Sequence, residues 1–211
     1  WRGSGAAFHA LNRGKKSICV DVKDPAQLDM LKDLIFSHAD VFAHNLRPGS
    51  AGQYGLDPET LRARKPELIC CELGAFGHVG PLSRDPDYDP LMQAFSGIMS
   101  LTGENGQPPS RSGVSIVDFG SGMWSVIGVI SALYRRRRTG QGATVNASLL
   151  ETAMAWMSVG IAFIVPHRAY ETMDGYLIVS CANDRLFGKL SVALDHPEWA
   201  VDPRFATNAG R

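Results

Sequence analysis

Between residues 16 and 73 the chain alternates two kinds of segment, and nothing else in the sequence limits its fold as strongly. Lys16-Ser17-Ile18-Cys19-Val20-Asp21-Val22 is a short apolar run with β-branched residues and charged flanks, as expected of a buried strand. Pro25 then stands at a first-turn position, and Leu28, Leu31, Leu34 and Ile35 recur at helical spacing as far as Ala39. A second strand is expected over 40–45, a polar helix over 58–65 and a third strand over 68–73. This alternation with short connections implies parallel pairing through right-handed crossovers, hence an α/β fold with a Rossmann-like open sheet and flanking helices. Ligands of such sheets bind beyond the carboxyl ends of the strands. The positions singled out are Asp21, Val22 and Lys23, then Asn45, Leu46 and Arg47, and residues 74–77.

Farther on, a Gly/Pro/Asp-rich loop (77–90) precedes a helix expected over 91–99, a turn region (103–109) and a short strand over 113–117. Phe119-Gly120-Ser121-Gly122 opens a long apolar helix that closes on four arginines, 135–138, and Gly140. Cations in a last turn complement the helix dipole, and that reading is preferred to nucleic-acid contact. A strand over 144–147 and a helix over 149–161 follow. The character changes beyond Pro166, with a strand over 176–180 and a helix over 187–194. Residues 1–165 are expected to form a large domain, and 166–211 a linker (about 166–175) and the start of a small α+β domain. A start at Trp1 and a stop at Arg211 with no closing element suggest a piece of a longer chain, with part of the large domain missing at the amino end.

Composition removes several function classes. Twenty-one Lys and Arg balance 21 Asp and Glu, so no net positive field exists to hold a nucleic acid. The longest apolar stretches, 119–134 and 154–165, fall short of a bilayer span and are expected as buried helices, so no membrane partner is expected. The four cysteines lack disulfide and metal spacing, which favours reduced thiols, no metal and a cytoplasmic protein.

G-x-G-x-x-G, the P-loop and the G-x-S-x-G elbow are all absent, so the sheet does not by itself imply a nucleotide cofactor or a hydrolase. Asp118 stands out, between an apolar run and a Gly-Ser-Gly helix start, where free N–H groups favour a carboxylate and small neighbours leave an acyl group room to approach. By position alone a helix cap is the favoured reading, since Asp is a common N-cap. Asp89, ahead of Pro90, reads as the cap of the 91–99 helix.

Several segments taken together resemble the family III CoA-transferases, a group that includes formyl-CoA:oxalate and carnitine CoA-transferases and the 2-methylacyl-CoA racemases. They are Leu11-Asn12-Arg13-Gly14-Lys15-Lys16-Ser17-Ile18 with Asp21 and Lys23; Asn45-Leu46-Arg47-Pro48-Gly49 with Tyr54-Gly55-Leu56; Tyr88-Asp89 with Gln93-Ala94-Phe95-Ser96-Gly97; Asp118 with Gly122; and Thr139-Gly140-Gln141-Gly142. They stand in family order over about the first 160 residues.

The resemblance implies that Asp118 is a nucleophile carrying CoA as an aspartyl thioester between an acyl-CoA and a free carboxylic acid. CoA enters as substrate, with no permanently bound cofactor. It implies CoA contacts at Val20, Asp21, Val22, Lys23, Asn45, Leu46 and Arg47, a further contact region at Asp87, Tyr88 and Asp89, and a homodimer whose chains interlock. Gln53 departs from a frequent arginine, and residues 161–166 form an unusually short run. Racemases of the group place a histidine where Tyr88 stands, and a tyrosine with its ordinary pKa near 10 is a poor proton shuttle near neutrality. Transferase is therefore favoured over racemase, with a non-catalytic acyl-CoA binder as the remaining alternative.

Overall fold

A computed structural model of the chain describes residues 5–86, 88–103, 107–161, 167–181, 183–208 and 210–211. In order, its elements are α1 (Ala6–Leu11), α2 (Pro25–His38), β1 (Val41–His44), α3 (Ser50–Gln53), α4 (Pro58–Arg64), β2 (Ile69–Gly74), α5 (Asp89–Ser96), α6 (Ile116–Thr139), β3 (Thr144–Ser148), α7 (Leu149–Ile161), β4 (His167–Thr172), β5 (Gly175–Ser180) and α8 (Asp184–Ala193). Two Asp-Pro steps start helices: Asp24 accepts from the Ala26 N–H and Asp57 from the Thr60 N–H, each at 2.9 Å. Proline at N1 gives up only an amide that a helix leaves unpaired. The fold is mixed α/β. Strands β1, β2 and β3 form one sheet in that order, and β1 runs parallel to β2 with Val41 opposite Ile69 and His44 opposite Glu72.

The chain divides into two compact units, Trp1–Glu72 with Ile127–Val145, and Leu73–Val126 with Asn146–Arg211. In the first, Ile35, Ala51, Leu56, Leu61, Leu68 and Cys70 form the core, with Leu28, Leu31 and Phe42 packed against it. Each fully buried leucine there stabilises the fold by roughly 1.5–3 kcal/mol. The Lys65 ammonium donates to the carbonyls of Ile35, Phe36 and Ala39 (3.3, 3.0 and 2.7 Å), closing the carboxyl end of α2 with a cation. A Cβ on Gly142 would sit on the Leu68 carbonyl, so the Gly-Gln-Gly turn after α6 must pass β2 without a side chain. Of the four arginines at the end of α6, Arg136 ties the helix down, its guanidinium donating to the Glu67 carbonyl (3.1 Å) and the Asp40 carboxylate (2.7 Å).

The second unit has its own core of Ala75, Met92, Val117, Leu149 and Ala153. Within it the Ser121 hydroxyl bonds to the Val117 carbonyl and the Thr152 hydroxyl, both at 2.8 Å, so the buried polar atoms of α6 and α7 satisfy one another. β4 and β5 form an antiparallel hairpin, and Asn183 caps α8 by accepting from the Leu186 N–H.

Several sequence expectations fail for identifiable reasons. Residues 15–21 belong to no helix or strand, and Ile18 is 58% exposed. An apolar run becomes a strand only with a ladder partner and a covering layer, and the described residues supply neither for it. The strand over 113–117 is also absent, because α6 begins at Ile116. The apolar stretch from 119 is part of a 24-residue helix, long and apolar enough to cross a bilayer by length and composition. Nor is it buried: Phe119, Met123, Ile127, Ile130 and Tyr134 follow one another along α6 as exposed side chains. The described residues of this chain cover only the opposite side of the helix, at Val117, Ser121 and Ala132. β4 occupies most of the stretch expected as a linker, because its residues pair with β5.

Candidate active site

The first intrahelical bond of α6 runs from the Phe119 N–H to the Ser115 carbonyl at 3.0 Å, which makes Val117 and Asp118 the second and third helical residues. Their amides are the ones a capping side chain normally serves. Here the cap comes from another helix. Asp89 Oδ2 accepts from the Val117 N–H (2.9 Å) and the Asp118 N–H (3.0 Å), while its Oδ1 accepts from Gln93 Nε2 at 2.6 Å. Gln93, one turn along α5 and fully buried, accepts the Ser112 N–H (2.9 Å) on its Oε1. Asp89 is only 2% exposed. It is the first residue of α5 rather than its cap, and its carboxylate turns inward, beneath the start of α6.

In this arrangement the cap of α6 is Asp89 and not Asp118. The Asp118 carboxylate caps nothing, is exposed, and has no hydrogen-bond or ion-pair partner among the described residues. Partial burial first, and the nearby Asp89 carboxylate second, hold the Asp118 carboxyl above the usual carboxylate range. One turn farther along α6, a Cβ built on Gly122 would meet nothing within 4 Å, so the space beside the carboxylate is open. Gly120, by contrast, faces inward against Trp156 and Thr152. A free carboxylate on a rigid, externally capped turn, with open space beside it, can attack an electrophilic carbonyl. Burial pushes the Cys70 thiol up to about 11, which leaves it without thiolate character at neutral pH.

The other expected site residues of the first unit lie in two exposed or half-buried turns. Val20, Asp21, Val22 and Lys23 lie where that irregular run enters a turn. There the Asp21 carboxylate accepts the Lys23 N–H (2.9 Å) and the Asp21 N–H donates to Gln27 Oε1 (2.8 Å). Asn45, Leu46 and Arg47 leave β1 and enter a turn closed by the Ser50 N–H on the Arg47 carbonyl at 2.9 Å. Pro48 and Gly49 are its central residues, with Gly49 at φ 81°, as a type II turn requires. His44, which sequence reasoning passed over, supports this turn: its Nδ1 accepts the Leu46 N–H (3.3 Å) and its Nε2 faces Glu72 Oε1 at 3.3 Å. In the second unit Tyr88 is 74% exposed, and Asp87 lies outside the described residues. Two hollows of about 710 and 560 Å³, one in each unit, are lined by none of the expected site residues.

Comparison with known proteins gives these features a context. The model of CoA-transferase family III matches residues 2–211. The chain is 36% identical to an acetyl-CoA:oxalate CoA-transferase of Acetobacter aceti, over 97% of this chain and 57% of that protein. It is 35% identical to a succinate–glutarate CoA-transferase of Agrobacterium fabrum, over 99% of this chain and 56% of that protein. Among solved structures, a CAIB/BAIF family protein from Brucella suis superposes with a TM-score of 0.72 at 38% identity, covering 99% of this chain and 59% of that one. The chain thus spans somewhat more than half the length of the relatives it matches. A family match from end to end, together with solved relatives of the same fold, carries the assignment: the chain belongs to CoA-transferase family III.

Proposed function

We propose that this chain supplies the nucleophile of an enzyme that moves coenzyme A from an acyl-CoA thioester to a free carboxylic acid, and that Asp118 is that nucleophile. The observation that carries the reading is the free carboxylate of Asp118 on a turn whose amides are capped by Asp89. A carboxylate oxygen of Asp118 attacks the thioester carbonyl carbon, and the C–S bond breaks to release CoA thiolate, leaving a mixed anhydride. The thiolate then attacks the Asp118 carbonyl carbon of the anhydride, which expels the donor as its carboxylate and leaves an aspartyl-CoA thioester. An acceptor carboxylate repeats both steps in reverse. Atoms and charge balance with no proton transferred and no redox partner, so neither metal nor resident cofactor has a step to perform.

Oxalate and glutarate in the names of the relatives support small carboxylates as the acceptor class. Lys23 and Arg47, exposed cations on the two turns of the first unit, suit the phosphates of CoA, with Val20, Asp21, Val22, Asn45 and Leu46 forming the walls. Tyr88 supplies the exposed contact of the 87–89 region, and Asp87 belongs with it by sequence. We assign residues 1–165 to a large Rossmann-like CoA-binding domain and 166–211 to the beginning of a small one. Four free cysteines favour a cytoplasmic setting. The family resemblance implies an interlocked homodimer, and the exposed apolar stripe of α6 is a surface that such a partner would cover. Two differently tagged preparations should then form mixed dimers only after joint unfolding and refolding; rapid native exchange would remove the interlock.

Mass spectrometry after incubation with an acyl-CoA tests the chemistry. The peptide containing Asp118 should gain the mass of CoA less one water, and Asp118→Asn should gain nothing and transfer nothing. α-Deuterium exchange without an adduct would mean a racemase, and neither signal a binder. Because the Asp118 carboxyl is held above its ordinary range, folding opposes its ionisation, a cost that grows as the pH rises above the ordinary carboxylate value and is complete once the pH passes the raised pKa. Asp118→Asn should therefore melt no lower than the parent at pH 7, with any advantage vanishing below about pH 4, where the carboxyl is protonated folded or unfolded.

A further inference from the structure

Asp89 is a buried carboxylate with no cation beside it among the described residues, and such a group is costly unless hydrogen bonds repay it. Its three donors are the Gln93 amide and the backbone N–H groups of Val117 and Asp118. Capping α6 did not require this. Ser115 sits at the N-cap position, where a serine hydroxyl ordinarily serves the same amides. A carboxylate reached across 29 residues of sequence does something a local serine could not: it sets a second acidic group on the backbone amide of Asp118 itself.

We propose that Asp89, held by Gln93, is the positioning residue of the transfer reaction, aiming the Asp118 side chain through its backbone amide and opposing the charge that Asp118 loses on acylation. The inference rests on the reading of Asp118 as the nucleophile. In the resting site the Asp89 carboxylate accepts the Asp118 amide and, second to partial burial, holds the Asp118 carboxyl up against ionisation. When Asp118 becomes an anhydride or a thioester it turns neutral, and the negative charge departs with the thiolate or the released carboxylate. The repulsion is therefore present before each attack by Asp118 and absent from each covalent state, which tilts the equilibrium toward the loaded enzyme. Asp89 touches no substrate in this scheme.

The test is the rate of adduct formation at Asp118 in the intact protein under single turnover, followed across pH. Asp89→Asn keeps the shape and one acceptor oxygen but removes the charge. Adduct formation should slow about a hundredfold, the scale of a misplaced reacting group, while acyl-CoA affinity stays within twofold of the parent. The acid limb of the pH profile should also move to lower pH, because Asp118 loses a neighbour that resists its ionisation. A purely structural role for Asp89 would leave that limb in place. If Asp89→Asn does not fold, Gln93→Met carries the test: it keeps the charge and the two amide bonds, frees the clamp, and should lose at least about tenfold in rate with the acid limb unmoved. A folded Asp89→Asn that forms adduct at the parental rate with an unmoved limb overturns the role of Asp89 while leaving Asp118 as the nucleophile. So does a Gln93→Met at parental rate when Asp89→Asn fails to fold. A parent protein that forms no adduct overturns both readings.

Discussion

The two turns of the first unit and the α6 start of the second are built by different means. Asp21, Lys23, Leu46 and Arg47 are held by bonds spanning two to six residues, nearly all between exposed atoms. Asp118 is held through its amide by a buried carboxylate 29 residues away, itself gripped by a fully buried glutamine. Long cationic side chains can find phosphate from an approximate starting point, whereas a nucleophile displaced by an ångström loses most of its rate. Local turns serve the first task, and a long-range buried clamp serves the second.

The contrast can be broken most visibly at Gly122. Valine there would fill the open space beside Asp118 without touching the clamp, and transfer should fall by about a hundredfold or more. Alanine at the same position should stabilise α6 by up to ~1 kcal/mol while still slowing transfer, so melting temperature and kcat would move in opposite directions. A Gly122→Val protein with parental kcat would mean that the acyl group approaches from elsewhere. A smaller effect is expected in the first unit. Lys23→Ala and Arg47→Ala should each raise KM for acyl-CoA about tenfold, the scale of one charge-assisted hydrogen bond, with kcat within twofold. A fall in kcat with KM unchanged, measured by steady-state kinetics on either variant, would mean that these turns share in aiming the nucleophile.

How much of this was legible in the sequence varied with the range of the forces involved. The Asp-Pro starts of α2 and α4, the span of α7 and the parallel pair β1 and β2 follow from local caps and periodicity, and they were expected within a residue or two. Residues 16–22 carry the same strand pattern as β2, yet pair with no strand among the described residues, because a strand is defined by its neighbour and not by its composition. The start of α6 is not legible locally because Val114, Ile116 and Val117 look like strand residues, while the group that caps the amides of Val117 and Asp118 is Asp89, far upstream. The same blind spot hid the state of Asp118. Only the partner of its backbone amide separates a helix cap from a free carboxylate, and no local pattern names that partner. Asp118 and Gly122 were visible as a pair four residues apart; the clamp beneath them was not.

The bond from α5 to the first turn of α6 also governs the order of assembly. A carboxylate without a counter-ion stays in water until its donors exist, so α5 cannot seat against the core before residues 117 and 118 have taken helical form. The earlier helix should then be completed by the later one, and the two should open together, so that hydrogen exchange at the Val117 and Asp118 amides tracks that of α5.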